Sequence, residues 1–258
     1  YTVRMSWAAR RRFIITLIIG GAGVVFLVAV SLATFYKSPS CIDNVQNQDE
    51  GGIDCDGSCP YLCAARLQPP TVLFTKALTN TAGRTDIIAS VEHKNAGVAA
   101  KNVPYRVALY GADRLLIQEV SGTLDLPPGA SVPVFIPGIV SGKQAVAGAF
   151  LSIDASSLRW FKMASDPRIV PTVVTTKPGG TTVLPRFETT LVNSSVVTLT
   201  NVTAIILVRD DKGEVIAASS TVVPAIPAQG QATATFTWNS AFLSAPASIQ
   251  VVPIIPLP

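Results

Sequence analysis

The chain has 258 residues, 48% of them hydrophobic and 14% charged, with 20 basic against 16 acidic side chains and a net charge of +4. Arg4, Arg10, Arg11 and Arg12 precede the first apolar run and no acidic residue does, so charges balance over the remainder. The basic excess is therefore a membrane flank and gives no nucleic-acid partner, which needs a clustered basic face on the folded part.

Residues 13–35, FIITLIIGGAGVVFLVAVSLATF, contain no ionisable side chain. A run of about 20 apolar residues crosses the bilayer hydrocarbon as a helix, in contact with membrane lipid. A buried core helix would be shorter and would carry a polar stripe. RRR stands at 10–12 before the run and Lys37 alone after it. The positive-inside rule then predicts a cytoplasmic basic tail over 1–12, a membrane helix over 13–36 and an extracytoplasmic remainder, in the periplasm or at the cell surface. No small-x-small cleavage site follows, which predicts a retained single-pass anchor in the cell membrane rather than a removed signal. Gly20, Gly21, Gly23, Ala29 and Ala33 are small enough for close packing against a second helix, although single anchors carry such residues too.

All four cysteines, Cys41, Cys55, Cys59 and Cys63, fall in the stretch CIDNVQNQDEGGIDCDGSCPYLC, within a predicted neck over 37–67. Outside the cytoplasm thiols oxidise, and an even number packed into one short stretch predicts two disulfides. Three connectivities are open. Zinc is the poorer reading, because the cysteine spacing is not that of a ribbon and the single histidine, His93, is distant in sequence. Asp43, Asn44, Asn47, Asp49, Glu50, Asp54 and Asp56 offer hard oxygen ligands, which makes calcium the one candidate ion; otherwise no cofactor is predicted. The order of residues is not that of an EF-hand, and a polar, stapled loop accounts for the same composition.

This stretch resembles a segment, C-x-D-x-x-x-N-x-x-E-x-G-x-D-C-G-G-x-C-x-x-C, that recurs in uncharacterised bacterial surface and envelope proteins. It departs from that pattern at Asp56, which replaces a glycine, and by one extra residue between Cys59 and Cys63. The resemblance implies an exported envelope protein and no catalytic activity.

From Gln68 onward the chain is rich in Val, Thr, Ala and Pro, and the turn signals PPG, KPGG, DDKG and AQG punctuate short apolar runs. In ATATFTW, Ala232, Ala234, Phe236 and Trp238 alternate with Thr233, Thr235 and Thr237, the period of a strand. Many short strands with regular turns predict an all-β ectodomain. An internal repeat divides it at an offset of roughly 100 residues, the size of one sandwich. Asn95 aligns with Asn193, His93 with Leu191, Asn102-Val103 with Asn201-Val202, Leu126-Pro127 with Ile226-Pro227, and Gly129 with Gly230. The repeat, with LYGAD at 109–113 and DDKGEVI at 210–216, resembles small Ig-like domains of the FxLYD and CARDB kind. The resemblance implies two tandem Ig-like β-sandwiches, over 68–166 and 167–258, with the boundary near SDPRIVP at 165–171.

No constellation carries chemistry. A Ser-His-Asp or Cys-His arrangement would need His93, which sits in a predicted strand. Asp210 and Asp211 occupy a predicted turn, where aspartate is expected, and KPGG at 177–180 reads as a turn rather than a phosphate loop. Asn193 and Asn201 head N-x-S/T sequences that read as accidental. The expectation is a non-enzymatic accessory or scaffold subunit of a membrane or envelope protein complex, partnered by other membrane or envelope proteins or by further copies of itself. One alternative is a pilin-like subunit of a surface filament. Against it, RRR interrupts the approach to the apolar run and Met5 stands where type IV pilins carry glutamate. The other alternative, a surface adhesin or ligand-binding module, would need an exposed aromatic patch.

Overall fold

The computed structural model describes residues 6–35, 40–47, 49–79, 83–139 and 145–258. Arg4 and Lys37, used above to orient the helix, lie outside them. The chain divides into two compact units, Tyr1–Cys59 and Pro60–Pro258.

The first unit holds one helix long and apolar enough to cross a membrane, α1 (Trp7–Phe35, 29 residues). It starts earlier than the apolar run because Ala8, Ala9 and the arginines that follow are good helix formers. At about 1.5 Å per residue it exceeds the roughly 30 Å of hydrocarbon, so its first turns extend beyond the apolar span. Its polar side chains bond within the helix. The Thr16 hydroxyl donates to the Arg12 carbonyl (3.0 Å) and that of Thr34 to the Val30 carbonyl (2.7 Å). Neither hydroxyl is left unsatisfied against lipid.

The second unit is all-β. Its strands are β1 (Tyr61–Leu62), β2 (Thr71–Thr79), β3 (Thr85–Glu92), β4 (Val98–Tyr110), β5 (Leu116–Leu126), β6 (Ser131–Ile139), β7 (Gly148–Ile153) and β8 (Trp160–Lys162). After a strand-free gap come β9 (Thr172–Gly180), β10 (Pro185–Val192), β11 (Leu199–Arg209), β12 (Val215–Ile226), β13 (Gln231–Thr237) and β14 (Ser248–Ile254). They form four antiparallel sheets: β1-β8-β4-β5, with β7 also on β4; β2-β3-β6; β9-β10-β13; and β12-β11-β14.

The first two sheets close on a core that includes Ile87, Ala89, Val91, Val107, Leu109 and Trp160. The last two close on Phe187, Leu191, Val202, Ile206, Ile226 and Phe236. These are the two sandwiches expected from the sequence. The stretch 60–67, read above with the neck, contributes β1, where Leu62 pairs with Trp160. The proposed boundary at 165–171 lies in the gap between β8 and β9. Arg168 ties that gap down, donating to the Ile255 carbonyl (2.8 Å) and holding the Asp166 carboxyl below its ordinary range by hydrogen bonding.

A third core joins the sandwiches. Ile88 of β3, with Phe74, Leu78 and Phe135, packs against Ile205, Leu207, Val215 and Ala218. The outer face of one sheet is therefore laid on the outer face of another. β3 and β11 are consequently buried on both sides. This explains why IIA at 87–89 and AIILV at 204–208 read as continuous apolar runs rather than alternating ones.

The repeat is real, but its register differs from the sequence alignment at one corner. The His93 amide donates to the Ala130 carbonyl (3.0 Å) and the Asn193 amide to the Gly230 carbonyl (2.9 Å). His93 is thus the counterpart of Asn193, not of Leu191. Gly129 (φ 58°) corresponds to Gln229 (φ 50°), not to Gly230. Identical letters, Asn with Asn and Gly with Gly, drew the alignment two residues and one residue off. Asn102 and Asn201 do coincide, both at φ 53°.

Candidate functional site

In the neck Cys41 and Cys59 form a disulfide closing a sequence separation of 18. Cys55 and Cys63 are disulfide-bonded as well, and none of the described cysteines is free. The acidic residues serve the loop that the disulfide closes. Asp54 accepts from the Asp43 and Asn44 amides, both at 3.0 Å. Asp43 accepts from the Val45 amide (2.9 Å) and the Asn47 side chain (3.0 Å). Asp49 accepts from the Ser58 hydroxyl (3.1 Å). Glu50 is buried, accepts from the Asn47 amide (3.1 Å), and turns its other oxygen to the Cys59 sulfur at 3.2 Å, a contact without a proton because that sulfur is oxidised. Asp56 sits in a turn at φ 62°, and its carbonyl accepts from the Cys59 amide. Gly57 follows at φ +59°, where an added Cβ would lie 2.2 Å from the Asp49 carbonyl oxygen, so only glycine fits.

Of the seven calcium candidates, Asp43, Asp49, Glu50 and Asp54 accept hydrogen bonds within the loop. Among the described residues, ligand atoms of three His, Cys, Asp or Glu side chains converge within 4.8 Å only at Cys41, Glu50 and Cys59, and those two sulfurs are bonded to each other. Closing a loop of this length stabilises by about 3 kcal/mol. Reduction is thus expected to open the loop, and chelation to leave it closed. Hydrogen exchange of the Asp43, Asn44 and Asn47 amides with a phosphine reductant or with EDTA checks this. Loss of protection in EDTA alone would restore calcium as the organiser.

On α1, Gly20, Gly21 and Gly23 have open space where a Cβ would be, and no residue of the helix is buried. The positions expected to receive a second helix are thus on the surface of the described chain.

His93 is 1% exposed and closed in on every side. Its Nε2 lies 2.8 Å from the Val98 carbonyl, which can only accept, so Nε2 carries the proton. Nδ1 then accepts from the Asn95 side-chain amide at 3.2 Å. Trp160 stacks on the ring with centroids 4.7 Å apart. This is a structural corner, with no room for a substrate. Burial pushes the pKa below its ordinary 6.5, against the opposing pull of the Val98 carbonyl. Below that value the unfolded chain takes up a proton that the folded chain refuses. The stability is fully present above pH 6.5 and is lost as pH falls, by at most about 1.4 kcal/mol per pH unit. Melting of the wild type is expected to drop between pH 7.5 and 5.5 more steeply than that of His93→Asn. Parallel slopes would assign the acid sensitivity to other groups.

The second unit also holds a groove of about 1160 Å³ between the sandwiches. Phe135 and Leu78 line it from one side, and Trp238, Phe242 and the strand β12 from the other. The sequence reading did not find it. Its lining comes from segments more than 100 residues apart, and the only local sign was a cluster of large apolar residues, WNSAFL, in a turn region.

No protein-family model matches the chain, and no curated protein sequence matches it. Among solved structures it is similar to one described as the crystal structure of red sea bream transglutaminase, with a TM-score of 0.24 and 10% identity. That likeness covers 73% of this chain and 31% of the other, so the chain spans under a third of that protein's length. At such a TM-score the likeness carries no argument about fold or activity.

Proposed function

We propose that the protein is a non-enzymatic single-pass membrane subunit that holds a two-sandwich platform outside the cytoplasm, as an accessory or scaffold component of a membrane or envelope complex. The observation that supports this best is the third core. Two sandwiches fused face to face through Ile88, Ile205 and Leu207 form a stiff body, which suits presentation of surfaces. The sealed state of His93 points the same way, because it withdraws the single histidine from chemistry. The resemblance of the neck and of the Ig-like repeats to exported envelope proteins agrees.

The test is copurification of the full chain from native membranes in mild detergent. A stoichiometric set of membrane partners is expected. A homopolymer would favour the filament reading, and an isolated monomer would overturn the scaffold reading. Gly20→Leu with Gly23→Leu is expected to reduce copurification by about tenfold while membrane insertion persists, because leucine is more apolar but holds a neighbouring helix away. Unchanged recovery in the double variant would assign the assembly to the sandwiches or the neck.

A further inference from the structure

We propose that the outer edge of β12, where it lines the groove between the sandwiches, is a strand-addition site for an extended, uncharged, apolar segment of a partner polypeptide. The proposal rests on the scaffold reading and names the kind of chain that the platform would take.

The backbone identifies the edge. β12 pairs with β11 on one side, Ile206 with Ser219 and Val208 with Ala217 flanking the pair Leu207–Ala218. β12 ends its sheet, since the order is β12-β11-β14. The Trp238 indole donates to the Ala218 carbonyl at 3.2 Å, so Ala218 faces away from β11 and into the groove. By alternation Ser220 and Val222 face the same way. Pro224, which has no N–H, falls in the same phase. Both Ser220 backbone groups thus project outward, with no hydrogen-bond partner among the described residues, whereas Ala218 is buried and its carbonyl is held by Trp238.

The repeat supplies an internal control. The corresponding edge, β5, carries Glu119 in the position of Ala218, paired with Arg106 at 2.9 Å. Charges of this kind guard exposed edges against further pairing. β12 has no charged residue and no proline from Val215 to Val223. Its small, less buried side chains Ser219 and Ser220 would let another backbone come close.

The walls select the occupant. Unpaired amides and carbonyls in alternation recognise an extended polypeptide backbone, and flanking apolar pockets recognise its alternate side chains. Two apolar residues stand exposed on the groove, Leu184 (55%) and Leu243 (86%). Most of the charges around it are already matched within the chain: Lys76 with Glu214, Arg84 with Asp86, Arg186 with Glu188, and the Asp210 carboxylate with the Lys212 and Glu214 amides. A neutral apolar segment therefore fits better than a charged one.

The probe is a phage library of random heptapeptides, panned against the full-length protein in nanodiscs. Enriched peptides are expected to alternate apolar residues and to carry no net charge. Ser220→Pro removes an edge donor, and Leu243→Asp changes only an exposed side chain, so its folding is not at risk. Each should weaken binding by at least about tenfold, whereas Ser121→Pro, on the guarded β5 edge, should not. No enrichment, enrichment of charged peptides, or unchanged affinity in both groove variants would overturn the site. Native copurification separates the two ideas: a partner set without any edge-dependent peptide sinks the groove alone, and edge-dependent peptides without a partner set sink the scaffold reading alone.

Discussion

Ile88→Asp is expected to uncouple the two sandwiches while leaving both folded. Ile88 is 0% exposed, yet it belongs to the shared core and to neither sandwich core. The change removes about 1.5–3 kcal/mol of apolar burial and sets a carboxylate among Ile205, Leu207 and Val215. A carboxylate without a partner there either stays in water, which separates the sheets, or takes up a proton. Besides the hydrogen bond from the Leu257 amide to the Asp125 carboxylate (2.7 Å), the polar contacts left across the interface are weak. Lys76–Glu214 is a solvent-exposed pair, worth about 0–1 kcal/mol. The Arg209 guanidinium over Phe74 adds about 0.5–1 kcal/mol. Calorimetry should resolve the single wild-type transition into two, and small-angle scattering of the solubilised protein should show a larger radius. Ile87→Asp, one residue earlier but in the first sandwich core, should instead abolish the transition of that sandwich. A single unshifted transition in Ile88→Asp would mean that the third core does not hold the sandwiches together.

Asn193→Ala should be the most damaging change within the second sandwich. Asn193 is 0% exposed. Its side-chain amide reaches the carbonyls of Val197 (2.7 Å), Pro227 (3.0 Å) and Ile226 (3.3 Å). Its oxygen accepts from the Ser195 amide (3.0 Å) and hydroxyl (2.7 Å). One side chain thus pins the end of β10 to the start of β11 and to the turn after β12. Leaving a buried carbonyl unpaired costs about 1–3 kcal/mol, so the total should be on the order of 3–5 kcal/mol. At about 4–8 °C per kcal/mol for a domain of this size, melting should fall by 10 °C or more. Asn193→Asp keeps the shape but aims an acceptor at the three carbonyls, so it should be at least as damaging. A tolerated Asn193→Asp would refute the donor role. The same burial keeps the N-x-S sequence beginning at Asn193 from acting as a glycan acceptor in the folded protein.

Much of the architecture was legible because it is local. An uncharged apolar run makes a membrane-length helix wherever it occurs, and period-two alternation such as ATATFTW makes a half-buried strand. Clustered cysteines outside the reducing cytoplasm oxidise regardless of their pairing. These readings need only nearest neighbours and a solvent, and α1, β13 and the oxidised neck followed from them. For the acidic residues of the neck, composition only counts oxygens. It cannot show that Asp54 and Asp43 already spend theirs on loop amides.

The docking of the sandwiches depends on which surfaces meet. Ile88 and Ile205 look like ordinary strand residues, and their own strands do not say which sheet covers them. The apolar stretches IIA and AIILV say only that both faces must be covered, since a strand apolar on both faces must be covered on both. The equivalence of His93 with Asn193 was invisible because two different side chains solve the same problem, donating to a carbonyl at or just before the start of the next strand. The groove along β12 exists only once the sandwiches have docked. Its edge is defined by unpaired backbone groups, which every residue except proline carries alike and which no sequence pattern marks.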